Sequence, residues 1–159
     1  YQRRGAAKQP PFTDPKWADG ASHLGPGQDT QARLVTDQGN AATARDLRGG
    51  WFDAGDYNKY VVNSGISTST LLSLYEDFPQ YCQQLNTNIP ESKNQLPDLL
   101  DEILWNLRWM LKMQDPNDGG VYHKLTNPSF DPMLIMPQEA TKPRYVVKKT
   151  TPAALMVQR

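Results

Sequence analysis

Apolar residues recur at helical spacing in two stretches of the chain. In residues 57–78, Val62, Ile66, Leu71, Leu72, Tyr75 and Phe78 fall close to a 3.6-residue period, which predicts a helix there. Gly65 and the hydroxyl residues between 67 and 73 weaken its propensity, and Pro79 is expected to end it. A polar, Asn- and Gln-rich link over residues 80–94 follows. The second helix carries the stronger pattern, with Leu96, Leu99, Leu100, Ile103, Leu104, Leu107, Met110 and Leu111 forming a broad stripe. Pro97 sits at its start, where a missing N–H costs nothing, and Asp98, Asp101 and Glu102 favour the positive end of the dipole. The run Asp115-Pro116-Asn117-Asp118-Gly119-Gly120 predicts its stop. A third helix is predicted to open at Pro152, preceded by Thr151 and followed by Ala153, Ala154, Leu155 and Met156.

Elsewhere neither the helical nor the strand period holds. Residues 1–50 contain Pro10-Pro11, Asp14-Pro15, Asp19-Gly20, Gly25-Pro26-Gly27 and Gln38-Gly39-Asn40, which is turn chemistry throughout. They read as an ordered loop region, with at most a short strand around Arg33, Leu34 and Val35. Residues 121–147 are also expected to be loop, because Asn127-Pro128, Asp131-Pro132, Met136-Pro137 and Lys142-Pro143 interrupt any period. The expectation is therefore an all-α chain of two amphipathic helices and the stub of a third. Amphipathic helices bury their stripes against other layers, and so few of them with such long loops suit part of a larger helical scaffold that carries its function on loops. The start at Tyr1, without the charged-then-apolar order of a signal peptide, and the third helix with no stop signal both read as a piece of something longer. A terminal helix that simply frays is the alternative.

Composition narrows the function classes. The 159 residues suit one domain, and 38% apolar content with 13 prolines and 11 glycines describes a wet, looped chain. Lys plus Arg and Asp plus Glu are 17 each, which argues against a nucleic-acid partner. No apolar run approaches the roughly 18 residues of a membrane span. Cys82 stands alone, excluding an internal disulfide and a cysteine-built zinc site, and is expected to be a buried small hydrophobe. The loop at 115–120 lacks the alternating acids and closing Glu of an EF-hand, so helix termination is the better reading and no metal site is assigned. Trp105 and Trp109, four apart, read as packing residues, and Lys148-Lys149 as a solvated pair. Asn127-Pro128-Ser129 is no glycosylation acceptor, because proline blocks it.

The densest chemistry is Gly49-Gly50-Trp51-Phe52-Asp53-Ala54-Gly55-Asp56-Tyr57-Asn58-Lys59-Tyr60. Two carboxylates stand three apart among small residues, with aromatic faces of the kind that stack on sugar rings on both flanks. Were the turn helical, Asp53 and Asp56 would point to one side, about 5–6 Å apart at Cβ. Two acids aimed at one place can hold and deprotonate one water, or bind a cation. The competing reading is a helix start, with Asp53 as the cap and Asp56 favouring the dipole.

These twelve positions resemble the N-terminal signature of the family 9 glycoside hydrolases, inverting cellulases built on a barrel of twelve helices. The resemblance extends to Leu96-Pro97-Asp98-Leu99-Leu100-Asp101-Glu102, to Asp118-Gly119-Gly120-Val121-Tyr122-His123-Lys124, and to Met136-Pro137 with Arg144-Tyr145-Val146. It implies that residues 1–159 are a truncated N-terminal portion of such a catalytic domain, a partial six-fold α/α barrel. It implies Asp56 as catalytic base, Asp53 as the residue positioning the attacking water, and His123 as a substrate-binding residue. Trp51 and Tyr57 are placed near the cleft as neighbours of the pair. The implied activity is hydrolysis of β-1,4-glucosidic bonds in cellulose or related β-glucans, that of an endo-β-1,4-glucanase, by a secreted enzyme. No cofactor is required, although structural calcium is allowed in the whole enzyme.

An inverting glycosidase sets its acid and base roughly 6.5–9.5 Å apart. Asp53 and Asp56 are too close in sequence to be that pair. The family's acid is a Glu near the far end of the domain, and neither Glu102 nor Glu139 lies in a matching context. The isolated chain is therefore expected to be inactive and to need the remainder of the domain. Two further readings stay open: a non-catalytic carbohydrate-binding piece of the same fold, and a helical interaction fragment with no sugar affinity.

Overall fold

The computed structural model describes residues 4–5 and 20–157. In chain order the elements are β1 (Arg33–Leu34), a 3-10 turn (Ala41–Thr43), β2 (Lys59–Tyr60), α1 (Val61–Asp77), α2 (Pro79–Gln84) and α3 (Asp98–Lys112). Then come β3 (Lys124–Thr126), a second 3-10 turn (Pro137–Glu139), β4 (Tyr145–Val146) and α4 (Thr151–Val157). The expected helices are present, but the all-α expectation is corrected by a four-stranded sheet in the order β1-β4-β3-β2. The stretch 121–147, expected to be loop, supplies two of the strands. They are too short to leave a period, and they exist because β3 finds antiparallel partners on both sides, Tyr60 facing Lys124 and Leu125 facing Val146. Parallel pairing of β1 with β4 places the expected short strand at Arg33 and Leu34.

α1 begins four residues later than its pattern predicts, because Lys59 and Tyr60 are drawn into the sheet first. Its buried residues are Val61, Ser64, Gly65 and Thr68, while Ile66 is 58% exposed and Leu72 is also exposed. The face turned to α3 and α4 is thus the small and hydroxyl one. Asn106 Nδ2 donates to Thr68 Oγ1 at 3.1 Å, and Gly65 lets Met156 of α4 lie against the helix backbone. Pro79 does end α1, but it also opens α2 at a position where its missing N–H is harmless. Part of the expected polar link is therefore helix, and Cys82 is buried there beside Leu99 and Ile103.

α3 forms where its stripe predicts and buries Leu99, Ile103 and Met110 of it, but Leu111 and the preceding Leu96 stay exposed while Asn106 and Trp109 are buried instead. The main core joins its C-terminal half to the sheet and α4 through Leu47, Val61, Met113, Val121, Leu125, Val146 and Ala153. Trp109 is fully buried and Trp105 Nε1 donates to the Gly50 carbonyl at 2.9 Å, so both act in packing. α4 starts at Thr151 with Thr150 Oγ1 accepting from Ala153 N at 3.3 Å. At 115–120 the helix stop holds, but Lys149 is no free solvated cation: it pairs with Asp115 and Asp118 at 2.7 Å each. Among the described residues no helix is long and apolar enough to cross a membrane.

Candidate active site

Gly49 and Gly50 carry φ values of 105° and 69°, and a Cβ on Gly50 would lie 2.6 Å from the Trp109 ring. Only glycine fits that turn, and it delivers residues 51–58 onto α3. Trp51 is fastened there twice, its N–H donating to Asn106 Oδ1 at 3.2 Å and its Nε1 to Glu102 Oε1 at 2.8 Å. Glu102 also accepts from Arg4 Nε at 3.0 Å, so this carboxylate is committed to structure. Glu139 is likewise committed, accepting from Met136 N at 3.0 Å.

Neither aspartate caps a helix. α1 starts behind Tyr60 without a side-chain cap, and residues 53–57 are irregular rather than helical. The helical estimate of the separation of Asp53 and Asp56 therefore does not apply. Asp53 N–H donates to the Asn58 carbonyl at 2.9 Å, and Asn63 Nδ2 donates to Asp53 Oδ1 at 3.0 Å. Asp56 Oδ1 accepts from Asn58 N at 2.8 Å, and Oδ2 accepts from the Tyr60 hydroxyl at 3.2 Å. Both carboxylates are half-buried. Burial raises the pKa of the Tyr60 hydroxyl, and the negative charges of Asp56 and Asp53 raise it further. Tyr60 thus feels both acids. A depression of about 270 Å³ opens beside it, lined by Trp51, Phe52, Asp53, Tyr60 and Asn63 among others; Asp56 is not one of its lining residues and meets it through Tyr60.

The other expected residues divide. Trp51 lines that depression. Tyr57 instead packs inward, its ring 5.1 Å from Phe52 and 5.8 Å from His23, with its hydroxyl donating to the Ile135 carbonyl at 2.5 Å. His123 precedes β3, its carbonyl accepting from Val61 N at 3.0 Å and its Nδ1 lying 2.9 Å from Thr150 Oγ1. It is not among the residues lining the depression.

The family model for Glycosyl hydrolase family 9 matches residues 1–158. The chain belongs to glycosyl hydrolase family 9. A xyloglucan-specific endo-beta-1,4-glucanase of Bacteroides ovatus is 57% identical over 106 residues, covering 67% of this chain and 18% of the relative. Endoglucanase D of Acetivibrio thermocellus is 41% identical over 106 residues, 66% of this chain and 17% of its own. A solved Bacteroides ovatus family 9 structure superposes with a TM-score of 0.88 at 42% identity, covering 98% of this chain and 28% of that one. The chain thus spans less than a fifth of these curated family 9 relatives.

Two residues of the site carried little signal in the sequence. Tyr60 stood in the motif only as a flanking aromatic, and Asn63 as one polar residue of a helix. Their positions four and ten residues after Asp56 and Asp53 acquire meaning once β2 and the first turn of α1 bring them back onto the loop.

Proposed function

We propose that this chain supplies the base side of the active site of an inverting endo-β-1,4-glucanase acting on cellulose or a related β-glucan. The observation that carries the reading is the pair Asp53 and Asp56 on one irregular loop, both bonded to Asn58, with Asp53 and the Asp56 partner Tyr60 lining an open depression. Asp56 removes a proton from the attacking water, Asp53 holds that water, and Tyr60 and Asn63 fix the two carboxylates. The water attacks the anomeric carbon opposite the leaving oxygen. That oxygen is protonated by an acid standing far enough away to leave room for water and sugar. The acid belongs to a part of the domain outside residues 1–159, so the chain alone turns over negligibly. Trp51 offers an apolar face to the sugar, and His123 binds substrate only if the cleft extends past Tyr60 towards β3.

The fold fits this role as the opening portion of a twelve-helix α/α barrel. A groove of about 400 Å³ among α1, α3 and α4, lined by Ile66, Leu72, Met110, Leu155 and Met156, is where the following barrel helices would pack. The chain's 28% coverage of a solved relative leaves ample length for them. No cofactor takes part in the chemistry, and an insoluble substrate places the enzyme outside the cell.

The test is the stereochemistry of cello-oligosaccharide cleavage by an enzyme spanning the full family domain, followed by proton NMR. The α-anomer is expected first. Initial β-anomer would refute the mechanism, and sugar binding without cleavage would favour a carbohydrate-binding role.

A further inference from the structure

Three ionised side chains, Asp29, Lys59 and Arg144, lie under the aspartate loop, each with 0% side-chain exposure. Lys59 Nζ is 2.5 Å from Asp29 Oδ2, and Arg144 Nε is 3.1 Å from Asp29 Oδ1. Two cations share one carboxylate, so the cluster is net positive in a dry interior. Apolar side chains would fill the same volume at less cost in desolvation. Burial presses the Lys59 pKa down to about 8, while Lys59 and Arg144 outweigh burial at Asp29 and hold its pKa below the usual carboxylate value. Asp29 is the charged counter-ion of both cations.

Its spare donors point at the loop. Arg144 Nη2 donates to the Tyr57 carbonyl at 2.6 Å, and Nη1 lies 3.4 Å from Asn58 Oδ1. Asn58 Oδ1 also accepts from Asn127 N at 3.1 Å. Asn58 in turn touches both aspartates, through its carbonyl to Asp53 N–H and through its N–H to Asp56 Oδ1. The three charges come from distant parts of the chain: a turn-rich stretch, β2, and the residue before β4. Through Arg144 they reach the loop at Tyr57 and at Asn58, the residue bonded to both aspartates.

We propose that Asp29, Lys59 and Arg144 are positioning residues for Asp53 and Asp56: Arg144 clamps the backbone at Tyr57 and the side chain of Asn58, and Asp29, braced by Lys59, holds the guanidinium there by charge. This rests on reading the two aspartates as the base side of the site. Misplacement of a catalytic group by about 1 Å costs on the order of 100-fold in rate, so a clamp one residue away acts on turnover rather than on sugar binding.

Arg144→Met is the discriminating change, because it leaves Lys59 and Asp29 as a neutral pair. Asp29→Asn, by contrast, would leave two cations facing each other. In the enzyme spanning the full family domain, hydrogen exchange of the Asp53 amide is expected to quicken at least about 10-fold as the clamp loosens. In the enzyme spanning the full domain, kcat is expected to fall about 10- to 100-fold with KM within about 2-fold. Arg144→Lys, which keeps the charge but loses the fork of donors, should recover part of that loss. A folded Arg144→Met protein with unchanged Asp53 exchange and unchanged kcat overturns the proposal. Should Arg144→Met fail to fold, Arg144→Lys decides on the same two readouts, with wild-type values in both overturning it. Asp56→Asn run alongside separates the two ideas: an undiminished rate there removes the functional reading, while amide exchange still judges the clamp.

Discussion

His23 makes the packing beneath the aspartate loop sensitive to acid. Its side chain is 3% exposed, its ring stands 5.2 Å from Phe52 and 5.8 Å from Tyr57, and neither ring nitrogen has a hydrogen-bond partner among the described residues. Burial, with Arg144 and Lys59 adding to it against Asp29, lowers its pKa from 6.5 to about 3. The imidazole is therefore neutral when folded, whereas the unfolded chain takes up a proton once the pH falls below about 6.5. Stability from this group is complete above that value and declines as the pH drops towards 3. At pH 5 the unfolded state has gained about 1.5 pH units of proton binding that the folded state lacks, a loss of about 2 kcal/mol. The control is His23→Asn, which does not titrate and tolerates the left-handed backbone at this position, where φ is 58°. Urea unfolding of both proteins at pH 7 and pH 5 should show the wild-type advantage shrinking by about 2 kcal/mol. An advantage constant to within about 0.5 kcal/mol would refute the reasoning, since ordinary surface effects are of that size.

Two further outcomes follow from the site geometry. Gly50→Ala should destabilise the chain by about 3 kcal/mol, from a left-handed backbone and a Cβ 2.6 Å from the Trp109 ring, read by urea unfolding. Tyr60→Phe removes the donor to Asp56 Oδ2, and in the full enzyme kcat should fall about 10-fold with KM little changed, read by steady-state kinetics.

α3 was legible as a helix because its leucine stripe and acidic first turn agree, but its buried face was only partly so: Asn106 and Trp109 turn inward while Leu111 stays exposed. α1 was legible as a helix but not in its start or its buried face. Lys59 must reach Asp29 and Tyr60 must pair with Lys124, and neither demand leaves a mark on local periodicity. Hydroxyl and small residues bury against α3 and α4 because Asn106 and Met156 wait there, which a hydrophobicity pattern cannot register. Strands of two or three residues carry no alternation to detect, so the sheet stayed hidden. In the site, the spacing of the aspartates and the glycine turn could be read directly. Their supports could not: Asp29 and Arg144 are single charges among turn residues, 115 positions apart in the chain, and only the fold makes them neighbours.

The most direct test of the account is the rate of cellohexaose cleavage by the enzyme spanning the full family domain, wild type against Asp56→Asn. Loss of the general base predicts a kcat lower by about 100- to 10,000-fold with KM nearly unchanged. A folded Asp56→Asn enzyme within about tenfold of the wild-type rate would contradict the assignment of the base, and with it the role given to the loop.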